Sequence, residues 1–327
     1  MQANESIPYV VGVDLGGTNV RASVTDISGN LYGEGRTDSR AMDGVDATVA
    51  QIATAVADAV STSGVDRSRI LGIGMGVPGT VLPDEGIVAW APNFRGWDGV
   101  QVGEPLRVAT GLPVIMGNDA NVAALGEYTF GAGVGSRCMV MFTLGTGIGS
   151  GLVIDGKSWI GVSGCAPEMG HQIILADGPR CGCGRSGCLE ALAGRDPICF
   201  RAARKAHLGR STLLLERSGH DLRYITPAMI SEAAAEGDEI AVETLNETGY
   251  YIGLGVANAM NILNPDCFVI GGGIAGAGDL LLEPIRRTVE VNALYSAVKA
   301  CRIVRAELGD DAGILGAAAT ALQRFGG

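Results

Sequence analysis

The sequence predicts a two-domain α/β protein, and three features lead to this prediction. Apolar strand segments alternate with amphipathic helical segments along the chain. The 51 glycines cluster in short runs after apolar strands, where the backbone must turn sharply or approach a ligand. The hairpin DLGGTNVRASVTD (14–26) aligns with TLGTGIGSGLVID (143–155), which indicates a duplicated fold with one copy in each domain.

The first half of the chain begins with an apolar strand at Tyr9–Val13, a turn at Gly16–Gly17 and a second strand that alternates toward Val24. A third strand is expected at 31–36. An amphipathic helix follows, because five apolar residues recur at helical spacing. These are Val45, Val49, Ile52, Val56 and Val60. Buried strands are then expected at 70–79 and 112–119.

The second half repeats the strand, glycine turn and strand, and then continues with helices. A long helix is expected from about Asp238 to Leu263, followed by a strand at 267–273 and a small-residue helix at 310–322. No linker separates the halves, so we expect the boundary near Gly117–Asn121. The predicted domains are 1–117 plus 308–327, and 118–307.

The formal net charge of −11 and the pI near 4.8 disfavour nucleic acid and anionic membranes as partners. No apolar run reaches the length of a membrane-spanning helix. The start, MQANESIPYV, lacks the basic and apolar regions of a signal peptide. We therefore expect a cytoplasmic protein.

Each glycine hairpin is a candidate phosphate site, because a turn of Gly, Gly and Thr directs backbone N–H groups and a hydroxyl to one point. Asp14 stands where a carboxylate can hold Mg²⁺ through water. An ordinary hairpin is the alternative for either copy alone. The glycines of VIGGGI suit a nucleotide edge. The candidate nucleotide-binding residues are Asp14, Gly16, Gly17, Thr18, Asn19, Arg21, Thr143, Gly145, Thr146, Gly147, Gly272 and Gly273.

A dense stretch at 168–190 contains a candidate metal site. His171, Cys181, Cys183 and Cys188 form H-x9-C-x-C-x4-C. Four N and S ligands in one short segment suit tetrahedral Zn²⁺ with no open position, which predicts a structural site. The alternatives are a disulfide, for which Cys-x-Cys is cramped, and a redox pair, for which C-x-x-C is more usual.

Polar residues flank this loop and also follow a strand. Glu168 and Glu190 stand at the two ends of the cysteine-rich stretch, where carboxylates can accept hydrogen bonds from a polar ligand. Two solvated glutamates are the alternative. Asn118 and Asp119 end an apolar strand just before a helix, where ligands of α/β sheets bind. A helix N-cap is the alternative for Asp119.

Taken together, these motifs resemble the ROK family of sugar kinases and sugar-responsive repressors. DLGGTNVR, GVPG, GNDANVAALGE, TLGTGIGSG, EMGH, CGCGRSGCLE and VIGGGI occur in the family's order, from about Val11 to Ala318. The resemblance implies an actin-like ATPase (ribonuclease H-like) fold with a duplicated β-hairpin/βαβ core and an interdomain cleft. It also implies zinc at the His171 cluster.

The resemblance further implies ATP-dependent phosphorylation of a hexose at its 6-hydroxyl, with Mg²⁺ as cofactor, Asp119 as general base and glucose as the first-choice substrate. The sugar-binding residues that it implies are Gly79, Asn93, Asn118, Asp119, Glu168, His171 and Glu190. One departure stands after CLE, where Arg195 and Asp196 introduce charge into a stretch that is usually small-residue.

Several alternatives stay open at this point. N-acetylmannosamine, N-acetylglucosamine and other hexoses are possible substrates, and polyphosphate is a possible donor. ROK repressors carry a helix-turn-helix ahead of the first glycine loop, which begins here at Asp14, so a repressor is not expected. A sugar sensor without catalysis is disfavoured by the presence of Asp119. We expect a homodimer.

Overall fold

The computed structural model describes residues 8–91, 94 and 96–326. The strands are β1 Tyr9–Leu15, β2 Asn19–Asp26, β3 Leu31–Asp38, β4 Ile70–Val77, β5 Thr80–Leu82, β6 Ile87–Trp90, β7 Val100–Gln101, β8 Val114–Asn118, β9 Cys138–Leu144, β10 Ile148–Ile154, β11 Lys157–Ser158, β12 Cys267–Gly271 and β13 Arg302–Arg305. The helices are α1 Val45–Ser63, α2 Gly103–Thr110, α3 Asp119–Phe130, α4 Leu189–Ala193, α5 Arg195–His207, α6 Leu213–Arg217, α7 Pro227–Ala235, α8 Glu239–Leu263, α9 Asp279–Asn292, α10 Tyr295–Ala300 and α11 Ala312–Phe325.

The two five-stranded sheets have the same strand arrangement. Their orders are β3-β2-β1-β4-β8 and β11-β10-β9-β12-β13. In the first, β1 pairs antiparallel with β2 and parallel with β4, and β4 pairs parallel with β8. In the second, β12 runs parallel to both β9 and β13. The duplication that the two glycine hairpins predict is therefore confirmed at the level of whole sheets.

The helices that the apolar spacing predicts are also present. The valine-rich face of α1 packs on the first sheet with Val49, Ile52 and Val56 buried. Helix α8 begins one residue after the predicted start, because Asp238 is its N-cap and accepts a hydrogen bond from the N–H of Ala241. Among the described residues, no helix is both long and apolar enough to span a membrane.

The chain divides into two compact units. The first contains the described residues of 1–135, 151–167 and 307–327, and the second contains 136–150 and 168–306. The division differs from the predicted domains, because 118–135, 151–167 and residue 307 belong to the first unit rather than the second. The dividing point between Ser150 and Gly151 lies inside strand β10.

Close packing explains why α3 belongs to the first unit. A Cβ at Gly126 of α3 would lie 2.7 Å from the carbonyl oxygen of Ala312 in α11, so the two helix backbones nearly touch. The side chain of Asn121 donates a hydrogen bond to the carbonyl of Ala166 over 3.1 Å, which attaches the 151–167 segment to the same helix.

Each unit has its own apolar core. In the first, α11 lies so close to the sheet that a Cβ at Gly12 would overlap the carbonyl of Ile314. In the second, the rings of Phe142 and Phe268 meet edge to face with centroids 4.9 Å apart. Both Phe side chains are fully buried. Each sheet thus gives its hairpin a rigid base.

Candidate active site

The first glycine hairpin lies between β1 and β2 and leaves its turn open. The N–H of Gly16 donates to the carbonyl of Asn19 over 2.9 Å, which closes the turn. Gly17 and Thr18 are exposed, and a Cβ at Gly17 would meet no atom of the chain within 4 Å. Internal packing therefore does not require glycine at 17, whereas close approach of a phosphate group would.

Asp14 lies at the start of this hairpin, against the first turn of α11. A Cβ at Gly313 would lie 2.8 Å from Cγ of Asp14, so only glycine leaves room for the carboxylate there. Burial raises the pKa of Asp14, and the charge of Arg21 opposes that shift. A partly buried carboxylate beside a candidate phosphate site suits a hydrated divalent cation.

Arg21 contacts the segment that leads into α11. Its Nη1 donates to the carbonyl of Asp310 and its Nη2 to Oδ1 of Asp311, both over 2.9 Å. Its Nε donates to Oε1 of Glu34 over 3.3 Å. The guanidinium therefore holds β2, β3 and the start of α11 together, and direct contact with nucleotide stays a prediction for Arg21.

A cavity of about 720 Å³ surrounds the first hairpin. Its lining includes the predicted residues Asp14, Gly16, Gly17, Thr18, Asn19 and Arg21. Sequence reasoning missed Glu34, Arg36, Asp310 and Asp311, which complete the lining. The available signal was the pair Asp310–Asp311 directly before the small-residue helix, because a carboxylate can pair with an arginine, as Asp311 does with Arg21.

Asn118 and Asp119 lie at the end of β8 as predicted, but Asn118 is the N-cap of α3. Its Oδ1 accepts hydrogen bonds from the N–H groups of Ala120 and Asn121. Its Nδ2 donates to the carbonyl of Gly79 and to Oδ1 of Asp119, each over 3.0 Å. Asn118 is therefore the N-cap, whereas Oδ1 of Asp119 accepts the side chain of Asn118 and the N–H of Ala120, which fixes its orientation.

The second glycine hairpin lies between β9 and β10 and is joined by the glycines after β12. The N–H of Gly145 donates to the carbonyl of Gly147 over 2.9 Å. Gly272 has φ +84° and its backbone lies against that of Leu144, where a Cβ would overlap the carbonyl. Gly273 is exposed beside it. The structure thus brings together the second group of predicted nucleotide-binding residues, Thr143, Gly145, Thr146, Gly147, Gly272 and Gly273.

The four predicted metal ligands converge. The ligand atoms of His171, Cys181, Cys183 and Cys188 all lie within 4.8 Å of one another. Nδ1 of His171 is 3.6 Å from Sγ of Cys181, and the Sγ atoms of Cys183 and Cys188 are 3.7 Å apart. Ligand atoms of a tetrahedral zinc site are about 3.3–3.8 Å apart, so these two separations and the donor types suit Zn²⁺.

The environment of the thiols differs within this cluster. Burial raises the pKa of Cys181 to about 12, whereas a hydrogen bond from the backbone N–H of Arg185 lowers the pKa of Cys183 to about 7. Because zinc binds thiolate, metal binding at this cluster releases protons, and its affinity depends on pH.

Two carboxylates flank the metal cluster through His171. Nε2 of His171 lies 3.9 Å from Oε2 of Glu168, and Nδ1 lies 3.9 Å from Oε1 of Glu190. Burial raises the pKa of Glu168, with His171 opposing and Glu190 adding to the shift. Nδ1 therefore faces Cys181 and Glu190, and Nε2 faces Glu168. Binding of zinc and of sugar by His171 stays a prediction.

Comparison with known proteins places the glycine loops and the His171 cluster in one protein family. The model of the ROK family matches residues 10–324. The chain belongs to the ROK family. The fold of its solved ROK relatives is the actin-like ATPase fold, and this chain has it too. The α/β fold class expected from the motifs is thereby confirmed.

Named ROK relatives include both kinases and repressors. The chain is 37% identical to the glucokinase of Halalkalibacterium halodurans over 94% of this chain and 93% of that protein. It is 30% identical to a putative xylose repressor of Caldicellulosiruptor over 99% of this chain and 80% of that protein. Among solved structures, it is similar to the ROK glucokinase of Streptomyces griseus in complex with glucose and AMPPNP, with TM-score 0.82, 35% identity, and coverage of 96% and 99% of the two chains.

The ROK motif residues fall into two groups in the structure. The first unit holds Asp14–Arg21, Gly79 and Asn118–Asp119, and the second holds Thr143–Gly147, Gly272–Gly273 and the surroundings of His171. Asn93, a predicted sugar-binding residue, lies outside the described residues. Its role stays a prediction.

Proposed function

We propose that this protein is an ATP-dependent glucokinase, which transfers the γ-phosphoryl group of ATP to the 6-hydroxyl of glucose. The observation that supports it most is the likeness over 96% of the chain to a glucokinase solved with glucose and AMPPNP. The residues of that activity's motifs are present here, including Asp119 directly after β8.

Asp119 is the proposed general base. It accepts the proton of the 6-hydroxyl as that oxygen forms a bond to the γ-phosphorus, while the bond from the γ-phosphorus to the bridging oxygen breaks and ADP leaves. The hydrogen bonds to its Oδ1 from Asn118 Nδ2 and Ala120 N–H hold the carboxylate in one orientation. Fixed orientation favours a base that must meet one hydroxyl.

The two glycine hairpins are the proposed phosphate sites. In each, the exposed turn offers N–H groups and a threonine hydroxyl, from Thr18 in the first and Thr146 in the second. Asp14 holds the proposed Mg²⁺ through water. When bound, Mg²⁺ neutralises charge on the transferring phosphoryl group.

The proposed contacts to the sugar are polar groups of the ROK motifs. Glu168, His171 and Glu190 accept hydrogen bonds from sugar hydroxyls or donate to them. Asn118, the backbone at Gly79 and Asn93 are the other proposed contacts to the sugar. A bound sugar covers these polar groups, and recognition is then selective because a sugar without the matching hydroxyl leaves them unpaired. A zinc ion held by His171, Cys181, Cys183 and Cys188 keeps the surrounding loop rigid.

The proposal extends to assembly and location. We infer a homodimer, the commonest closed assembly of soluble proteins, and a cytoplasmic enzyme. Light scattering after gel filtration tests the assembly, because a single mass of one chain, 33.5 kDa, contradicts a dimer.

The central experiment is a substrate panel for ATP-dependent phosphorylation. It covers glucose, mannose, N-acetylmannosamine, N-acetylglucosamine, fructose and allose, with ATP or polyphosphate as donor. We expect turnover on glucose with ATP, and its loss in Asp119→Ala. Turnover confined to an acetamido sugar keeps the mechanism and rejects glucose as substrate. Binding of glucose without turnover on any sugar rejects the kinase and points to a sensor.

A further inference from the structure

We propose that the His171–Cys188 metal cluster sets the geometry of the second glycine hairpin, and so the affinity for nucleotide phosphate as well as for sugar. This inference rests on the proposed function in assigning phosphate to that hairpin. Every contact on which it depends lies within the second unit.

Helix α4 begins directly after the proposed metal ligand Cys188. Hydrogen bonds join both ends of this helix to the hairpin. Near its start, Oε2 of Glu190 accepts a hydrogen bond from the N–H of Ile148 over 3.0 Å. Just beyond its end, the N–H of Arg195 donates to the carbonyl of Gly145 over 3.1 Å. A shift of α4 therefore moves the turn at 145–148.

Glycine at 147 is explained by this arrangement. A Cβ at Gly147 would overlap Oε2 of Glu190, whereas a Cβ at Gly145, two residues earlier in the same turn, would meet nothing within 4 Å. The Glu190 carboxylate thus occupies the space beside the turn. Its other oxygen, Oε1, lies 3.5 Å from Sγ of Cys181, so one carboxylate contacts both the hairpin and the metal cluster.

The segment that carries His171 is hydrogen-bonded to the other side of the hairpin. The N–H of Met169 donates to Oγ of Ser150 over 2.9 Å, in the turn that contains His171. Gly170 lies against the carbonyl of Ile148, where a Cβ would overlap the oxygen. The first residues of β10 therefore lie between the His171 turn and α4.

A tetrahedral ion joins these two segments, because His171 belongs to one and Cys181, Cys183 and Cys188 belong to the other. Backbone hydrogen bonds also join the two segments, from the N–H of Leu189 to the carbonyl of Gln172 and from the N–H of Ile174 to the carbonyl of Gly187, each over 2.9 Å. The ion adds to these bonds on the side that faces the hairpin, so its loss loosens the hairpin. The coupling is reciprocal: whatever factor zinc adds to nucleotide affinity, nucleotide must add to zinc affinity.

The first test measures zinc retention, using the protein's own zinc and a chromogenic chelator. Ser150→Ala removes the acceptor of the Met169 N–H, and Gly147→Ala displaces Glu190. We expect each variant to lose zinc about fivefold more readily than the wild type. The matched controls are Ser23→Ala, an equally buried serine of the first unit, and Gly276→Ala in the second unit, whose methyl group meets no atom within 4 Å. Wild-type retention in both test variants overturns the inference.

The second test measures binding of Mg-AMPPNP by calorimetry before zinc removal, after it and after zinc is restored, with circular dichroism to verify that the zinc-free protein is folded. We expect zinc removal to weaken AMPPNP binding about fivefold or more, and bound AMPPNP to slow zinc loss in the wild type. AMPPNP affinity that is unchanged, or absent altogether, overturns the inference. If the zinc-free protein unfolds, the retention series decides.

The two proposals fail in different ways. A protein that binds AMPPNP in a zinc-dependent manner but transfers no phosphate to any hexose keeps this inference and rejects the kinase. A protein that phosphorylates glucose with the same AMPPNP affinity in both metal states keeps the kinase and rejects the coupling.

Discussion

Nδ2 of Asn118 donates a hydrogen bond to Oδ1 of Asp119, and the same amide group caps α3 through its oxygen. One side chain therefore both begins the helix and orients the neighbouring carboxylate. Asn118 rather than Asp119 occupies the N-cap position, and Oδ1 of Asp119 accepts the N–H of Ala120 in the first turn of α3.

Asp119→Asn is expected to lower kcat on glucose by roughly 10²–10⁴-fold, the usual contribution of a general base. The folded structure should persist, because Asn118 still caps α3. Initial rates and thermal unfolding measure the two effects. Asp58→Asn, an exposed acid of α1, is the control and should keep wild-type rates. A kcat of Asp119→Asn close to that of the wild type rejects Asp119 as the base.

Gly79→Ala is expected to lower the free energy of unfolding by roughly 1–3 kcal/mol, because Gly79 has φ +101° and a Cβ would lie 2.8 Å from Cα of Ala91. The KM for glucose should rise as well, because the Gly79 carbonyl holds Asn118. Gly99→Ala is the matched control, with φ +68° and no atom within 4 Å, and should lose less stability. If urea titrations give the same loss of unfolding free energy for Gly79→Ala and Gly99→Ala, the close contact with Ala91 does not explain the loss.

Asp14→Asn is expected to raise the melting temperature at neutral pH while abolishing Mg²⁺-dependent turnover. Burial raises the pKa of Asp14 above 3.8, so the folded protein binds this proton more tightly than the unfolded chain does. Ionisation of Asp14 therefore costs stability at neutral pH, and that cost disappears as the pH falls through the raised pKa.

Thermal unfolding of wild type and Asp14→Asn, measured from neutral pH down to about pH 3.8, tests whether ionisation of Asp14 lowers stability. The difference in melting temperature should be largest at neutral pH and shrink on acidification. Asp58→Asn should show no such trend. A melting temperature of Asp14→Asn below that of the wild type at neutral pH contradicts the prediction.

Glu127→Gln is expected to lower the free energy of unfolding by about 1–3 kcal/mol. The fully buried Glu127 carboxylate accepts hydrogen bonds from the N–H groups of Ala132, Glu307 and Leu308. An amide places its own N–H groups against some of these donors. Urea unfolding measures the loss, and hydrogen exchange at Leu308 should accelerate. Glu290→Gln, an exposed site, should change stability by less than about 0.5 kcal/mol.

Sequence reasoning works where the signal is local. The helical spacing of valines predicts α1, and the order of residues in two hairpins predicts the duplicated sheets. The spacing of His171 and three cysteines predicts a cluster that the folded chain brings together. In each case the residues that carry the signal lie within one element or one loop.

The remaining features depend on contacts between distant parts of the chain. The compact units divide at other residues than the predicted domains, because α3 packs closely on α11 through Gly126 and Gly316. A glycine carries no charge or periodicity that marks its partner. Glu127 was missed because its three donors are main-chain groups, which any sequence provides. The neighbours Asn118 and Asp119 are both good N-caps by type, and only geometry distinguishes the cap from the acid.

The close approach of α11 to the first sheet also bears on how the chain folds during synthesis. Gly12 of β1 and Gly74 of β4 face the α11 backbone directly, so the groove that they line is filled only by that helix. On the ribosome, β1 and β4 emerge early, and residues 136–306 follow before α11 is made. The second unit can therefore complete its core first, while the first waits with an open groove. Helix α11, which follows the second unit in the chain, closes the groove of strands that precede that unit.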